Sequence, residues 1–225
     1  MKHNFTCALF DVDGTLVDSS DAHGYAWERA FKKFGFDVSF EQIKQDIGMG
    51  GKEIVTKHLS RKDAKAFSNK ISEFEVELFT REFLKGIKPF PYAERLIKHL
   101  SKRGVKIILA SSTPTELVEN YINLLKIREV ILGYVSGSDV VRAKPAPDIF
   151  EKALSKCSVS KKGTVVIGDS PYDVVAARRA HLPAIAILSG GFKREEVEGA
   201  IHIFSTLKEL YEYVDELFIK PKTTR

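Results

Sequence analysis

Cysteine is scarce in this 225-residue chain, which contains only Cys7 and Cys157. The two lie far apart, and neither belongs to a CxxC pattern or has a histidine at a metal-ligand spacing. We therefore expect no disulfide framework and no zinc site, and we interpret both cysteines as small core or near-surface residues of a protein from a reducing compartment. The chain also lacks an apolar run of membrane-spanning length and an apolar leader ahead of Asp11. These absences predict a cytoplasmic protein with no membrane partner.

An excess of charge of one sign is also missing. The chain has 35 Lys and Arg residues against 30 Asp and Glu residues, for a formal net charge of +5. Both signs alternate along most of the length, which is typical of a solvated mixed surface, so we expect no nucleic-acid partner. A mildly basic surface still suits a small molecule that carries phosphate. We expect a monomer or a weak homodimer.

Short apolar runs recur along the chain and alternate with helical patterns. Near-continuous apolar composition is typical of strands buried on both faces of a parallel sheet. The runs occupy residues 7–13, 105–112, 130–137, 164–170 and 183–190. Strands and helices in this alternation predict the α/β fold class, with a parallel sheet covered by helices on both faces.

A long helical stretch interrupts this alternation between the first two strands. Residues from about 20 to 86 contain helical patterns that follow one another with no strand between them. The segment "GIKPFPYAE" then indicates a hinge, because its two prolines break regular structure. We predict an α/β core formed by residues 1–17 and 87–225, and an α-helical cap formed by residues 18–86 above the functional edge of the sheet.

Polar side chains follow the predicted strands where these end. Asp11 and Asp13 follow the first strand, Ser111 ends the second, and Asp169 ends the strand "TVVIGD". The carboxyl ends of parallel strands meet at one edge of a sheet, where α/β proteins bind ligands. An aspartate before glycine could merely form a turn. The matching groups at the other strand ends favour a functional site instead.

Two further charged residues lie close to these strand ends. Lys144 precedes a helix start in "AKPAPDIF", and Asp173 follows Asp169 by about one helical turn. Lys144 alone could be a surface lysine, and Asp173 could merely cap or charge-pair the helix that begins near Pro171. Their positions next to the other polar residues favour a part in the same site.

In chain order, the segments "DVDGT", "LASS", "KPAPDIF" and "GDSPYD" resemble the four motifs of the haloacid dehalogenase (HAD) superfamily. The insert between the first two motifs is similar to the helical cap of phosphoglycolate phosphatases and β-phosphoglucomutases. The resemblance implies a Rossmann-like, HAD-like core and a Mg²⁺-dependent phosphatase. Such an enzyme acts on small phosphate monoesters, of the phosphoglycolate or sugar-phosphate type, through an aspartyl-phosphate intermediate.

The resemblance also implies roles for the acidic residues. Asp11 would be the nucleophile and a metal ligand. Asp13 would protonate the leaving oxygen, then activate water, with its backbone carbonyl also on the metal. Asp169 completes the metal ligands, and Asp173 belongs to the same metal site. Mg²⁺ prefers carboxylate and water oxygens, which makes a few aspartates and a substrate phosphate its natural ligands.

The remaining motif residues would bind the phosphate. Ser111 would bind its oxygens, Ser112 lies next in the same motif, and Lys144 would offset phosphate charge against the nucleophile. Thr15 shapes the turn that holds Asp13 and is a further substrate-binding candidate.

The cap contains the candidates for substrate selection. His23 and Trp27 lie one helical turn apart, and a glycine-rich loop ends at Gly51, followed by Lys52. The loop could approach the substrate, and Lys52 could meet an anionic group. Alternatively, Trp27 belongs to the cap core and His23 lies on the hinge side.

Other activities fit the motifs less well. The Lys-Asn pair that β-phosphoglucomutases carry after the second-motif serine is absent from "SSTPTE", and Gly168 stands where those enzymes have an acidic residue. Halide departure needs no second aspartate, and a phosphonatase needs a cap lysine for a Schiff base, for which Lys52 is a formal candidate. A phosphosugar mutase and a catalytically silent binding protein on this fold remain the alternatives.

Overall fold

The computed structural model describes residues 3 to 219. Its six parallel strands form one sheet in the order β3-β2-β1-β4-β5-β6. The strands are β1 (Cys7–Phe10), β2 (Lys106–Ala110), β3 (Gly133–Val135), β4 (Thr164–Gly168), β5 (Ala184–Ile187) and β6 (His202–Phe204). The α/β fold with a Rossmann-like parallel core is confirmed, and each of the five predicted runs contains a strand. The outer strand β6 was not predicted.

Four helices lie within residues 18–86, as the helical patterns predicted, and a fifth helix comes between them and β2. They are α1 (Ser20–Lys33), α2 (Phe40–Lys44), α3 (Gly51–His58) and α4 (Arg61–Glu82). Their apolar side chains form a hydrophobic cluster of their own, which includes Trp27, Phe31, Ile43 and Ile71. Trp27 therefore packs in the hydrophobic cluster of these four helices. The proposed boundaries at residues 18 and 86 stay a prediction, and the outer ends of the predicted core segments lie outside the described residues.

The remaining helices cover the two faces of the sheet. They are α5 (Ala93–Lys102), α6 (Thr115–Leu125), α7 (Asp148–Cys157), α8 (Pro171–Arg179), α9 (Leu207–Glu212) and α10 (Val214–Leu217). Side chains alternate between the faces of a strand. In β1, Ala8 and Phe10 belong to one hydrophobic cluster, whereas Cys7 and Leu9 belong to the cluster that contains α7 and α8. No helix in the described part of the chain is long and apolar enough to cross a membrane.

The expectation of two unpaired cysteines is wrong. Cys7 and Cys157 form a disulfide with Cα atoms 6.8 Å apart, and both residues are fully buried. The physical reason is that Cys7 lies on the face of β1 that α7 covers, and Cys157 is the last residue of α7. The inference of a reducing compartment rested on free cysteines and no longer has that support.

The register of the sheet explains where the site lies. Strand β1 pairs with β2 on one side and with β4 on the other, with Phe10 opposite Leu109 and Ile167. Polar residues follow all three strands within two positions of these partners. The motif residues therefore meet at the carboxyl edge of the three central strands.

Candidate active site

Asp11 is at the centre of the polar cluster and is almost completely buried. Its carboxylate forms a salt bridge with the ammonium group of Lys144, which is itself fully buried. The Thr15 hydroxyl lies 3.0 Å from Asp11 Oδ2 and 2.6 Å from Asp169 Oδ1. Lys144 Nζ also forms an ion pair of 2.8 Å with Asp173 Oδ1. One lysine and one hydroxyl thus hold three aspartates together.

The turn after β1 requires glycine at one position. Gly14 has φ of +77°, which L-residues with a side chain rarely adopt. A Cβ atom there would lie 2.5 Å from Asp169 Oδ2. A side chain at this position would therefore collide with the Asp169 carboxyl group.

Burial and mutual repulsion change the proton affinities of the cluster. Burial raises the pKa of Asp11 to about 7, with Lys144 opposing the rise and Asp173 and Asp13 adding to it. Burial, followed by the charges of Asp11 and Asp173, raises the pKa of Asp169 well above its usual range. For Lys144, burial acts to lower the pKa, but the charges of Asp11 and Asp173 outweigh it and raise the pKa. The cluster has more negative charge than one lysine neutralises.

These carboxylates fit a divalent cation. One oxygen from each of Asp11, Asp169 and Asp173 lies within 4.8 Å of the others, and all three residues are buried. An all-oxygen set of aspartates is the kind of donor set that Mg²⁺ takes, usually together with water and substrate phosphate. Asp173 also forms a capping box with Ser170 at the start of α8, so the helix-cap alternative is real and coexists with the Lys144 ion pair.

The carboxylate of Asp13 points into a separate hydrogen-bond network. Ser19 Oγ donates to Asp13 Oδ1 at 2.7 Å, and Thr113 Oγ1 and Ser111 Oγ donate to Oδ2 at 2.6 and 3.1 Å. His23 Nε2 lies 3.2 Å from Oδ1. Burial acts to raise the pKa of Asp13, but the hydrogen bond and charge of His23, with the hydroxyl groups, hold it well below its usual range. Asp13 is therefore a carboxylate in the resting protein.

His23 links this network to the cap helices. Its Nδ1 lies 2.8 Å from Glu75 Oε1, and its ring stacks on Phe79 with centroids 3.8 Å apart. The Tyr121 hydroxyl lies 3.4 Å from Nε2. Burial acts to lower the pKa of His23, but the charge of Glu75 and hydrogen bonds to Asp13 and Glu75 raise it to about 10. An imidazolium between two carboxylates is the result.

A cavity of about 340 Å³ opens above the two catalytic candidates Asp11 and Asp13. This volume is in the range of small-molecule sites. The core and the cap share its wall. The residues predicted to bind substrate that line it are His23, Gly51, Lys52 and Ser112.

Besides the contacts of Ser19 and His23 with Asp13, three sets of hydrogen bonds join residues 45–53 to the helices and loops around the sheet. Ser112 Oγ donates to the Gly48 carbonyl at 3.2 Å, and the backbone N–H of Ala143 donates to Glu53 Oε1 at 3.1 Å. The Tyr172 hydroxyl lies 2.7 Å from the Gln45 carbonyl and 2.9 Å from Asp46 Oδ1. Because Ala143 precedes Lys144, the second contact ties the cap to the lysine loop.

The structure brings the predicted site residues into one region in three groups. Asp11, Thr15, Lys144, Asp169 and Asp173 form the acidic cluster; Asp13, Ser111 and His23 form the second network; Ser112, Gly51 and Lys52 line the cavity. Their chemical roles stay predictions.

Sequence reasoning missed several residues of the second network. Ser19, Thr113 and Glu75 all contact Asp13 or His23. Thr113 directly follows the serine motif, and Ser19 follows the first motif closely, so proximity was an available signal. Glu75 could have been found from its helical spacing, because it falls on the face of α4 whose other buried residues, such as Ile71 and Leu78, are apolar.

The chain is similar to known hydrolases over most of its length. Residues 8–187 match the family model for haloacid dehalogenase-like hydrolases. The pyrophosphatase PpaX of Oceanobacillus iheyensis is 26% identical over 179 residues, which cover 80% of this chain and 81% of that protein. A phosphoglycolate phosphatase of Pseudomonas fluorescens is 27% identical over 187 residues, which cover 81% of this chain and 69% of that protein.

A solved structure shows the same similarity. The crystal structure of a hydrolase from Pseudomonas syringae has a TM-score of 0.86 and 29% sequence identity, and the match covers 95% of this chain and 99% of that one. The chain therefore belongs to the haloacid dehalogenase-like hydrolase family, as its four motifs predicted, and is an enzyme of the phosphatase type.

Proposed function

We propose that this enzyme is a Mg²⁺-dependent phosphatase that hydrolyses small phosphate monoesters through a phosphorylated Asp11. The observation that carries the proposal is the separation of two carboxylates into two environments within one cavity. Asp11 is paired with Lys144 in the acidic cluster, whereas Asp13 is held by hydroxyl groups and His23. Two carboxylates in unlike environments can take unlike roles in one reaction.

In the first half of the proposed reaction, an Asp11 oxygen attacks phosphorus and the bond from phosphorus to the ester oxygen breaks. Lys144 offsets the negative charge that the nucleophile and the phosphoryl group bring together. A phosphate ester placed next to Asp13 raises the pKa of that carboxyl, because like charges disfavour ionisation. Asp13 takes up a proton from solvent as the ester binds, and the protonated Asp13 then gives this proton to the leaving oxygen.

In the second half, the Asp13 carboxylate accepts a proton from water as the water oxygen bonds to phosphorus. The bond between phosphorus and the Asp11 oxygen breaks, which releases phosphate and restores both carboxyl groups. Ser111 and Thr113 hold Asp13 by hydrogen bonds from the second strand end, so its carboxylate stays directed at the cavity.

The proposed metal site uses Asp11, Asp169 and Asp173, and the family resemblance adds the backbone carbonyl of Asp13 as a further donor. When bound, Mg²⁺ supplies a positive charge that stabilises the phosphoryl oxygens during transfer. The side-chain carboxylate of Asp13 accepts hydrogen bonds from three hydroxyl groups, so we assign it to proton transfer and not to the metal.

The test is release of nitrophenol from para-nitrophenyl phosphate, with Mg²⁺ and with EDTA. We expect turnover only with Mg²⁺, and loss of activity on the order of 10³-fold or more in Asp11→Asn, since the nucleophile is removed. Asp18→Asn is the matched control, because Asp18 is an exposed aspartate a few residues away. Wild-type activity in the Asp11 variant, or equal turnover in EDTA, would contradict the proposal.

A second assay, which follows a sugar phosphate and the inorganic phosphate released from it, separates the mutase alternative. A phosphosugar mutase returns an isomeric phosphate ester from a sugar phosphate and releases little inorganic phosphate. A hydrolase releases phosphate in step with substrate loss.

A further inference from the structure

The cavity above the proposed nucleophile has an uneven distribution of charge. The ionisable side chains that line it are Asp11, Asp13, His23, Lys52, Glu53 and Glu75. Asp11 and Asp13 belong to the proposed phosphoryl site, and of the other four side chains Glu53 and Glu75 are acidic. One of the two bases, His23, is already bound to two carboxylates. The part of the cavity that receives the leaving group therefore has little positive charge available for a second anion.

Glu75 is the residue that sets this balance. It is only 3% exposed, lies in the middle of α4 and lines the cavity. Its Oε1 contacts His23 Nδ1 at 2.8 Å, the one hydrogen bond found for this carboxylate within residues 3 to 219. A carboxylate on the substrate would face that of Glu75 at low local dielectric, where repulsion is strong. A hydroxyl group would instead donate a hydrogen bond to Glu75.

Ser72 provides an independent observation. Its Oγ is buried and has no hydrogen-bond partner among the residues that the structure describes, although Ser72 lines the cavity. A buried hydroxyl without a partner is costly. Ser72 and Glu75 are three positions apart on α4, so they lie next to each other on one helix face. Together they offer a substrate one hydrogen-bond donor, the Ser72 hydroxyl, and two kinds of acceptor, the hydroxyl oxygen and the Glu75 carboxylate.

The wall next to Ser72 is apolar and closely fitted. A Cβ atom at Gly51 would lie 2.9 Å from Ser72 Oγ and 3.1 Å from the Trp27 ring. The glycine therefore keeps open the space between the indole and the free hydroxyl. An aromatic face beside a hydroxyl and a carboxylate suits a molecule with both C–H surface and hydroxyl groups.

We infer that the leaving group is an uncharged alcohol with several hydroxyl groups, of the sugar or polyol class, and that a second anion is selected against. This inference rests on the proposed phosphatase activity. Glu75 and Ser72 are the residues that determine the selectivity. Lys52 is an exposed residue at the border of the cavity and next to Glu53, and it does not reverse the balance.

The test compares glycerol 3-phosphate with 3-phosphoglycerate, which share a three-carbon skeleton and differ by a hydroxymethyl group against a carboxylate. We expect kcat/KM to favour glycerol 3-phosphate by at least about tenfold, as expected for like charges at short range in a protein. In Glu75→Gln the ratio should shrink towards one, because the opposing charge is gone. Both substrates share the chemical step, so any damage to the His23 network cancels in the ratio.

A second pair of variants keeps the inference testable if Glu75→Gln fails to fold. Ser72→Ala should lower kcat/KM for ribose 5-phosphate by about 3- to 10-fold, the effect of one hydrogen bond, and should lower it less for para-nitrophenyl phosphate. Ser68→Ala is the matched control, because Ser68 is on the same helix, does not line the cavity, and also has a buried hydroxyl with no partner between residues 3 and 219. It should leave both values unchanged.

The outcomes separate the two proposals. If para-nitrophenyl phosphate is hydrolysed but 3-phosphoglycerate is the better substrate, and Lys52→Met removes that preference, the inference is overturned and the phosphatase proposal stands. Equal effects of Ser72→Ala and Ser68→Ala also overturn the inference. If para-nitrophenyl phosphate is not hydrolysed, the proposed function fails and the inference falls with it.

Discussion

Replacement of Lys144 by methionine tests how the acidic cluster is held together. The ammonium group is fully buried and pairs with both Asp11 and Asp173, the latter at 2.8 Å. Methionine keeps most of the side-chain volume but removes the charge. Removing one partner of a buried ion pair costs about 3–5 kcal/mol, because the remaining charge is left uncompensated. At about 2–4 °C per kcal/mol for a chain of this size, the melting temperature should fall by about 6–20 °C.

The cost should depend on pH, and the direction follows from Asp11. Burial already raises the pKa of Asp11 to about 7 while Lys144 opposes the rise. Without the ammonium group the pKa of Asp11 rises further. Between about pH 4 and the pKa of Asp11 in the variant, the native state therefore binds a proton at Asp11 that the unfolded chain releases. Stability then falls as pH rises, by up to about 1.4 kcal/mol per pH unit for each such proton. The variant should lose more stability at pH 8.5 than at pH 5.5.

The measurement is thermal or urea unfolding in EDTA at the two pH values. Lys152→Met is the matched control, because Lys152 is exposed and its nitrogen lies 3.5 Å from Asp139 Oδ1. Its melting temperature should stay within about 2 °C of wild type, as for most surface changes. A Lys144→Met variant that loses less than about 1 kcal/mol, or the same amount at both pH values, would refute the account of the cluster as a lysine-compensated set of carboxylates.

Two further predictions concern the metal site and His23. Mg²⁺ at about 100 times its Kd should stabilise the protein by about 2.7 kcal/mol. The Asp169→Asn substitution should stabilise the metal-free protein, and the melting temperature of this variant should rise far less with Mg²⁺. Calorimetric melting curves that shift equally in both proteins would contradict this prediction. The raised pKa of His23, about 10, means that its stabilising charge is complete below pH 6.5 and is lost as pH rises to 10. Urea unfolding of the metal-free protein should therefore show stability falling across that window, and His23→Asn should flatten the fall; parallel pH curves for the two proteins would show that His23 is not the titrating group.

The central part of the site could be predicted because its residues directly follow apolar strands in the sequence. Asp11, Ser111 and Asp169 each follow an apolar strand, and parallel strands end at the same edge. Once the strands were placed, their proximity followed without any knowledge of side-chain packing. The positions of Lys144 and Asp173 required the family motifs as well, because each lies in a loop or at a helix start.

Other features depend on tertiary packing that no local pattern contains. The Cys7–Cys157 bond arises because Cys7 lies on the face of β1 that α7 covers. The alternation of side chains between the two faces of a strand does not show which helix covers which face. Strand β6 has three half-buried residues, too few for a clear apolar run. Glu75 looked like one of many acidic residues on α4, yet it occupies a helix face with Ile71 and Leu78, where a charge is unexpected.

The hydrogen bonds between cap and core have a kinetic consequence. If residues 45–53 moved away from the sheet, their contacts with Ser112, Ala143 and Tyr172 would break, and these contacts do not include the substrate phosphate. Each neutral hydrogen bond of this kind contributes about 0.5–1.5 kcal/mol. Departure of the alcohol can therefore be slower than the chemical steps, in which case turnover would depend on solvent viscosity rather than on the acidity of the leaving group.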